Sequence, residues 1–423
     1  MAIAIDGSEA DSSMAGAGFD RTSLKTRLRR AERVNRVRSF SLVAPLLLFV
    51  LAVFALPIGL MLLRAVENTE VRDAMPKTMA ALQQWNGVST PDEAVFAAFA
   101  DDLVQTQKDR TTAQVGKRIN YEVPGARSRF LKAGRLIDAG GGGPWKEKFL
   151  ASDPEWGSVE FWAIMKRAGN VFTPYYLLTS LDLRQDAGGA VMRNFDDQSI
   201  FLDIFARTIW ISLLVTIATL LLGYPVAHLL AILPPRHANV LMILVLLPFT
   251  TSILVRTTAW IVLLQSNGVL NDIMLALHLT TERVQLIFNR FGTVLAMTHI
   301  QLPFTILPIY SVMKSIPPSH LRAARSLGAG PLTAFTTVYM PQTLPGVGAG
   351  CLLTFILSLG YYITPALVGG PQDQMVSYFV ALYTNREMNW GQASALGAIL
   401  LLITLALYWV FNRLVGIDKV KLG

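Results

Sequence analysis

Few residues in this 423-residue chain have types and spacings suited to making or breaking bonds. The histidines His228, His237, His278, His299 and His320 are dispersed, without the spacing that closes around a metal ion. Cys351 is the single cysteine and sits in an apolar run, which excludes an intramolecular disulfide framework and a Cys-based metal cluster. The chain carries no Gly-x-x-x-x-Gly-Lys-Ser/Thr phosphate loop, no His-Glu-x-x-His and no Gly-x-Ser-x-Gly. No catalytic residue, metal ligand or cofactor-binding residue is therefore expected. What remains are polar groups set among apolar neighbours: Arg256, Trp260, Tyr361, Tyr362 and Thr364. An ionisable group within hydrocarbon is costly enough to suggest work, so Arg256 either meets a solute or gate, or lets its long chain snorkel to the interface. Trp260 reads as an interfacial belt residue or a stacking surface. Tyr361, Tyr362 and Thr364 lie beside Gly360 and Pro365, a broken-helix arrangement that can line a path at mid-membrane.

The elements that must hold these groups follow from composition. Apolar residues make up 52% of the chain and charged ones 16%, which predicts an all-α, polytopic membrane protein. A helix crosses about 30 Å of hydrocarbon with roughly 20 apolar residues. Six stretches qualify, about Phe40–Leu63, Ile200–Leu222, Val240–Leu264, Val294–Met313, Gly348–Val368 and Ala393–Val415. The net charge of +8 arises largely from basic residues beside these stretches, as topology signals, and not from a nucleic-acid surface. Residues 1–39 form a basic N-terminal arm, expected to be mobile, and 40–64 a retained first span, because no cleavage pattern follows it. Basic residues in the short loops, Arg236, Lys314, Arg322 and Arg325, together with the arm and the tail 416–423, put both termini in the cytoplasm.

Residues 65–199 interrupt the pattern with a mixed composition rich in aromatic residues, including Trp85, Phe96, Phe99, Phe130, Trp145, Trp156, Phe161, Trp162, Tyr175 and Tyr176. A disordered linker seldom carries so many, so a folded, mainly helical extracytoplasmic insert is expected, with an exposed turn at Gly140–Pro144. Residues 200–415 then form a five-span core that includes the segment 314–346.

That segment, between spans four and five, reads as two short helices meeting at a corner. Ser319 is the expected N-cap, Gly328 the left-handed residue ending the first helix, and Gly330-Pro331 the start of the second. Ala323 and Ala324 give the first helix a smooth face. Further on come Met340-Pro341 and Leu344-Pro345. Gly346 and Gly350, one turn apart, are expected to allow close helix packing.

Ala323-Ala324, Gly328 and the later Leu-Pro element resemble the cytoplasmic coupling motif of binding-protein-dependent ABC importer permeases, in which Glu-Ala-Ala is followed by Gly and then Leu-Pro. Arg322 stands where that pattern has Glu, three residues after Ser319, and so puts positive charge near a helix start at a cost of about 0.3–1 kcal/mol. Gly223-Tyr224-Pro225-Val226-Ala227, Leu247-Pro248-Phe249, Leu254 to Trp260, Leu302-Pro303-Phe304 and Leu359 to Ala366 are similar to the spermidine/putrescine branch of the family. The resemblance implies docking to ATPase subunits through Ser319, Leu321, Arg322, Ala323, Ala324, Leu327, Gly328, Pro341, Leu344 and Pro345. ATP and Mg would be bound by that partner and not by this chain. It also implies a second permease chain, identical or homologous, an extracytoplasmic solute-binding protein, and residence in a bacterial inner membrane.

The transported solute stays open, because the spans contain almost no Asp or Glu to pair with ammonium groups. A membrane receptor whose insert senses a ligand is the rival reading, but it leaves the Ala-Ala, Gly, Leu-Pro segment unexplained. A polytopic enzyme would need an acid, base or metal set that the chain lacks.

Overall fold

The computed structural model describes residues 21–138, 142–186, 188–196 and 198–415. The first twenty residues of the arm, the start of the Gly140–Pro144 turn and the tail 416–423 lie outside the described residues. The chain divides into two compact units, residues 1–61 and 62–423. In the first, helix α1 (Arg21–Val50) leads into a π-helical stretch, Leu51–Ala55. The arm expected to be mobile is thus helical from Arg21 onward, because nothing between Arg21 and the apolar run breaks the helical pattern. Helix α2 (Leu56–Arg64) completes the first candidate span, Arg38–Arg64.

The insert folds as expected, mainly from helices: α3 (Glu70–Ala74), α4 (Pro76–Gln84), α5 (Glu93–Lys108), α6 (Thr112–Asn120), α7 (Ala126–Asp138), α8 (Trp145–Ser152), α9 (Val159–Ala168) and α10 (Tyr175–Thr179). A short antiparallel hairpin, β1 (Leu183–Gln185) and β2 (Val191–Arg193), closes it, with Arg184 opposite Met192. Its core is aromatic. Phe96, Phe99, Phe130, Phe149, Trp156, Phe161 and Trp162 are buried together, with Phe99 meeting Trp162 edge to face at 5.4 Å and Trp156 at 5.0 Å. Such pairs add about 0.5–1.5 kcal/mol each beyond their buried area. The Trp162 indole also donates to the Trp156 carbonyl at 2.7 Å, so its polar edge is satisfied inside the core.

A second, polar knot stands beside that core. Arg118, 1% exposed in its side chain, donates to Asn68 Oδ1 at 2.7 Å and pairs with Glu122 at 2.9 Å. Glu122 also receives Arg167 at 2.7 Å, and the Arg118 guanidinium lies 4.9 Å above the Tyr175 ring. Each buried charge therefore has a partner, the condition under which burial is tolerated. Burial pushes the Tyr176 phenol up to about 12, with Arg118 opposing, and also lifts Tyr121 and Tyr175 well above their usual range.

The core continues with α11 (Phe201–Ile232), α12 (Pro235–Thr250), α13 (Ile253–Leu264), α14 (Val269–Ala276), α15 (Arg290–Ser315), α16 (Pro318–Ser326), α17 (Pro331–Thr333), α18 (Met340–Leu359), α19 (Ile363–Val368), α20 (Val376–Asn385) and α21 (Trp390–Val415). A π-helical stretch, Ala334–Tyr339, joins α17 to α18 into one long helical run. Six stretches among the described residues are long and apolar enough to cross a membrane: Arg38–Arg64, Phe201–Ile232, Ile253–Ala276, Arg290–Ser315, Pro331–Leu359 and Trp390–Arg413.

Two expected spans need correction. Val240–Leu264 is not one helix: it breaks at Thr251-Ser252, where both residues have extended ψ values of 153° and 143°. Pro248 just before the break has no N–H to continue the ladder. Gly348–Val368 is also not one helix. Span five begins at Pro331 and ends at Leu359, and Gly360 to Tyr362 separates it from the short α19.

Helix α15 is the most enclosed span and packs against α11 and α18. A Cβ at Gly350 would stand 2.8 Å from the Thr305 carbonyl, and one at Gly346 would stand 2.8 Å from Val312 Cβ, so the two glycines set how closely α15 and α18 approach. Side-chain hydrogen bonds stitch the same seam: the Thr305 and Thr354 hydroxyls meet at 2.6 Å, and the Ser358 hydroxyl donates to the Gln301 amide oxygen at 2.8 Å. Such contacts hold helices together where no hydrophobic drive exists between them.

Candidate functional site

The corner between spans four and five is built by proline and glycine acting at opposite ends of α16. Pro317 has ψ of 131°, as a residue preceding proline must, and Pro318 opens the helix at its first position. Ser319 is consequently the second helical residue and makes no capping hydrogen bond, which corrects its expected role as N-cap. Arg322 falls to the fifth position, beyond the first turn, so the expected dipole penalty does not apply to it.

At the other end, the Gly328 N–H donates to the Arg325 carbonyl at 3.0 Å and the Ala329 N–H to the Ala324 carbonyl at 3.1 Å. These two bonds, with Gly328 at φ +89°, are a Schellman closure. A Cβ at Gly328 would meet nothing within 4 Å, so backbone conformation alone demands glycine there. Gly330 then caps the next helix and Pro331 begins it, as expected.

Two leucines project from this corner, Leu327 at 90% and Leu332 at 75% exposure, and Ala323 is exposed beside them. Leu321 and Ala324 are half-buried. Leu321, Arg322 and Arg325 line a cleft on a different face of α16 from Ala323 and Leu327, so the structure separates Arg322 from the alanine face. His320 Nδ1 meets Gln342 Oε1 at 2.9 Å and braces α16 against α18. Pro341, Leu344 and Pro345 lie further along, inside the continuous helical run Pro331–Leu359. Pro341 and Pro345 supply no N–H to that run, which gives a local reason for the wider π-helical turn just before them.

The second set of expected residues converges in part. Trp260 Nε1 donates to His299 Nδ1 at 3.2 Å, the rings crossing at 69°. Thr257 and Thr364 share a buried hydroxyl contact at 3.2 Å, so α13 touches α19. The Tyr361 phenol stands by Thr364, and the Arg256 guanidinium acts electrostatically on both Tyr361 and His299. Arg256, Trp260, Tyr361 and Thr364 therefore form one cluster, while Tyr362 leaves it: it is 41% exposed and faces Tyr378 at 6.5 Å.

Arg256 sits in the first turn of α13, just past the break at Ser252. Its Nε is buried without a hydrogen-bond partner among the described residues. His299 and Thr257 were not singled out by sequence. His299 could have been, as an ionisable residue within a span, whereas Thr257 has no signal beyond its polarity.

Residues 219–417, which include the corner and the cluster, match the family described as "Binding-protein-dependent transport system inner membrane component". A spermidine/putrescine transport system permease protein, PotB of Escherichia coli (strain K12), is 30% identical over 226 residues, covering 53% of this chain and 82% of that protein. The chain belongs to this permease family. It is a multi-pass, binding-protein-dependent ABC importer permease subunit of the polyamine-like branch. PotB of Haemophilus influenzae is 31% identical over 231 residues, with 53% of the permease and 80% of the relative covered. The inner membrane ABC transporter permease protein YdcU of Escherichia coli (strain K12) is 33% identical over 238 residues, covering 51% and 72%. Among solved structures, a chain of a bacterial ABC transporter that imports alginate aligns with TM-score 0.43 and 18% identity, over 52% of the permease and 80% of that chain.

Proposed function

We propose that this permease moves a small organic solute, a polyamine or a chemical relative, into the cytoplasm by alternating access driven by separate ABC ATPase subunits. ATP and Mg would be held by those ATPases. A second permease chain, identical or homologous, would complete the path, and an extracytoplasmic solute-binding protein would deliver the solute. In this reading both termini and the corner face the cytoplasm, and the insert faces outward.

The observation that carries the reading is the corner itself. A Schellman closure at Gly328 fixes the angle between α16 and the start of span five, and Leu327, Leu332 and Ala323 stand out from it as an apolar, sterically smooth knob. Exposed leucines on a soluble-facing turn cost solvation unless something covers them. A rigid knob continuous with a span of 29 residues can transmit a push from a partner without yielding. Its exposed small and apolar residues suit insertion into a groove on an ATPase.

Co-purification on a tagged permease tests the reading. An ATPase is expected to accompany the wild-type chain, and Leu327→Glu is expected to release it at least tenfold while the permease remains inserted. If no ATPase accompanies even the wild-type chain, the reading fails. Thermal-shift screening of the cognate binding protein against spermidine, putrescine, and neutral and anionic solutes then assigns the cargo class, and no shift with either polyamine would remove polyamines from it.

A further inference from the structure

Beneath α16 lies a cleft of about 490 Å³ between the ends of spans two and four and the start of span five. Three cations line it: Lys314 in the last turn of α15, and Arg322 and Arg325 one turn apart on α16. None of the three forms an ion pair among the described residues. Among the described residues, Lys314 Nζ reaches only the Ala231 carbonyl, at 3.5 Å, on the last turn of α11.

The rest of the cleft is apolar. Ile232, Ile316 and Leu321 line it, with Ile232 62% exposed, and Leu229 one turn back on α11 is 44% exposed. A site that combines three unneutralised cations with an apolar wall running on into a membrane span suits an amphiphile whose charged end is anionic. Clustered cations at the cytoplasmic end of a span draw acidic headgroups.

We propose that this cleft binds the phosphate-bearing headgroup of an anionic phospholipid of the cytoplasmic leaflet, with the acyl chains lying along Leu229 and Ile232. The proposal rests on the cytoplasmic orientation given above. It also assigns Arg322 a role on the face of α16 opposite the alanine surface: it reads the lipid, where the family motif has an acid. Lipid in the cleft would brace α16 from the membrane side against a push received at Leu327.

The test uses the full-length purified permease in mixed micelles that offer equal phosphatidylglycerol and phosphatidylcholine, with retained lipid counted by native mass spectrometry. Wild type is expected to retain phosphatidylglycerol preferentially. Each of Lys314→Gln, Arg322→Gln and Arg325→Gln is expected to lower that retention about fivefold. Arg413→Gln, in the last turn of α21, is expected to leave it unchanged. Equal retention by the triple variant and the wild type overturns the proposal. So does displacement of the lipid preference by millimolar inorganic phosphate alone, which would make the cleft a site for free anions. Loss of ATPase from the triple variant in micelles of phosphatidylcholine only would assign the cations to the ATPase, and likewise overturns it. Because lipid retention is read on the permease by itself, failure to find an ATPase would count against the transport reading and leave this measurement standing.

Discussion

The Asp182 carboxylate accepts the backbone N–H groups of Phe201, at 3.0 Å, and Leu202, at 2.8 Å, so a residue of the insert caps the helix of span two. Asp182 is itself buried, with φ +56°. Three more ties join the insert to the start of span six: Gln392 donates to Ser180 at 2.9 Å, Lys117 donates to the Glu387 carbonyl, and the Tyr176 ring lies flush on Gly391. The insert is thereby fastened to the ends of two spans.

Removal of the cap should show this directly. Asp182→Ala is expected to lower stability by about 1–2 kcal/mol, since the first N–H groups of α11 lose their acceptor and the helix dipole its anion. Asp182→Asn keeps an acceptor and tolerates the left-handed backbone, and is expected to cost less than half as much. Thermal unfolding in detergent, with hydrogen exchange read over residues 200–205, checks both; equal protection in Asp182→Ala and wild type would refute the cap.

The junction should also be sensitive to volume. A Cβ at Gly391 would come within 2.4 Å of the Tyr176 ring. Gly391→Ala is expected to cost about 1–3 kcal/mol by forcing ring or backbone to shift. The double variant Gly391→Ala, Tyr176→Leu is expected to recover part of that loss, and an absence of recovery in the same unfolding measurement would break the link between the two positions.

The buried phenols predict an alkaline limit. Tyr176 is raised to about 12 by burial, so the folded state holds a proton that the unfolded chain gives up near 10. Its contribution is complete below pH 10 and is withdrawn as pH rises from 10 toward 12. Tyr121 and Tyr175 shift in the same direction, burial being the first cause in each. Phenolate absorbance at high pH should therefore show a late step coincident with loss of structure, which Tyr176→Phe diminishes. Ionisation of Tyr176 at the ordinary phenol value, near pH 10, in the folded chain would contradict the packing.

At the corner, Gly328→Val must hold a β-branched residue at φ +89°, where the left-handed backbone costs about 1–2 kcal/mol. The variant is expected to insert normally and to lose ATP-dependent uptake at least tenfold, with Gly328→Asn intermediate. Unaltered uptake by the valine variant would remove the corner from the transport cycle.

In the polar cluster, Trp260→Phe deletes the donor to His299 and keeps the ring. The lost bond is worth about 0.5–1.5 kcal/mol, or roughly two- to twelvefold in apparent solute affinity if the cluster lines the path. Tyr362→Phe, outside the cluster, is the comparison and is expected to change uptake less than twofold. Equal effects of the two substitutions would argue that the cluster only packs helices.

Much of this molecule was legible from residue order because the forces that write it are local. Apolar runs, basic flanks and the aromatic density of residues 65–199 each act within a few residues of themselves, so span number and a folded helical insert follow from the chain alone. The turn at Gly328 is equally local: a left-handed glycine between an alanine helix and Gly330-Pro331 has few alternatives. Ser319 was misread because two prolines in succession displaced the cap by two positions, a competition between neighbours of similar strength.

Tertiary structure decided what depends on distance between elements. The break at Thr251-Ser252 set Arg256 in the first turn of α13, where its guanidinium acts on His299 in α15 and on Tyr361 in the segment before α19, both remote in sequence. Asp182 looks like any hairpin acid until α11 is seen to begin against it. Arg322 looked like a defect in a capping box, and only the packing of α16 beside the ends of α11 and α15 turned it, with Lys314 and Arg325, into one wall of a cleft. Pairings of this kind arise from packing of whole helices, and no spacing along a single helix encodes them.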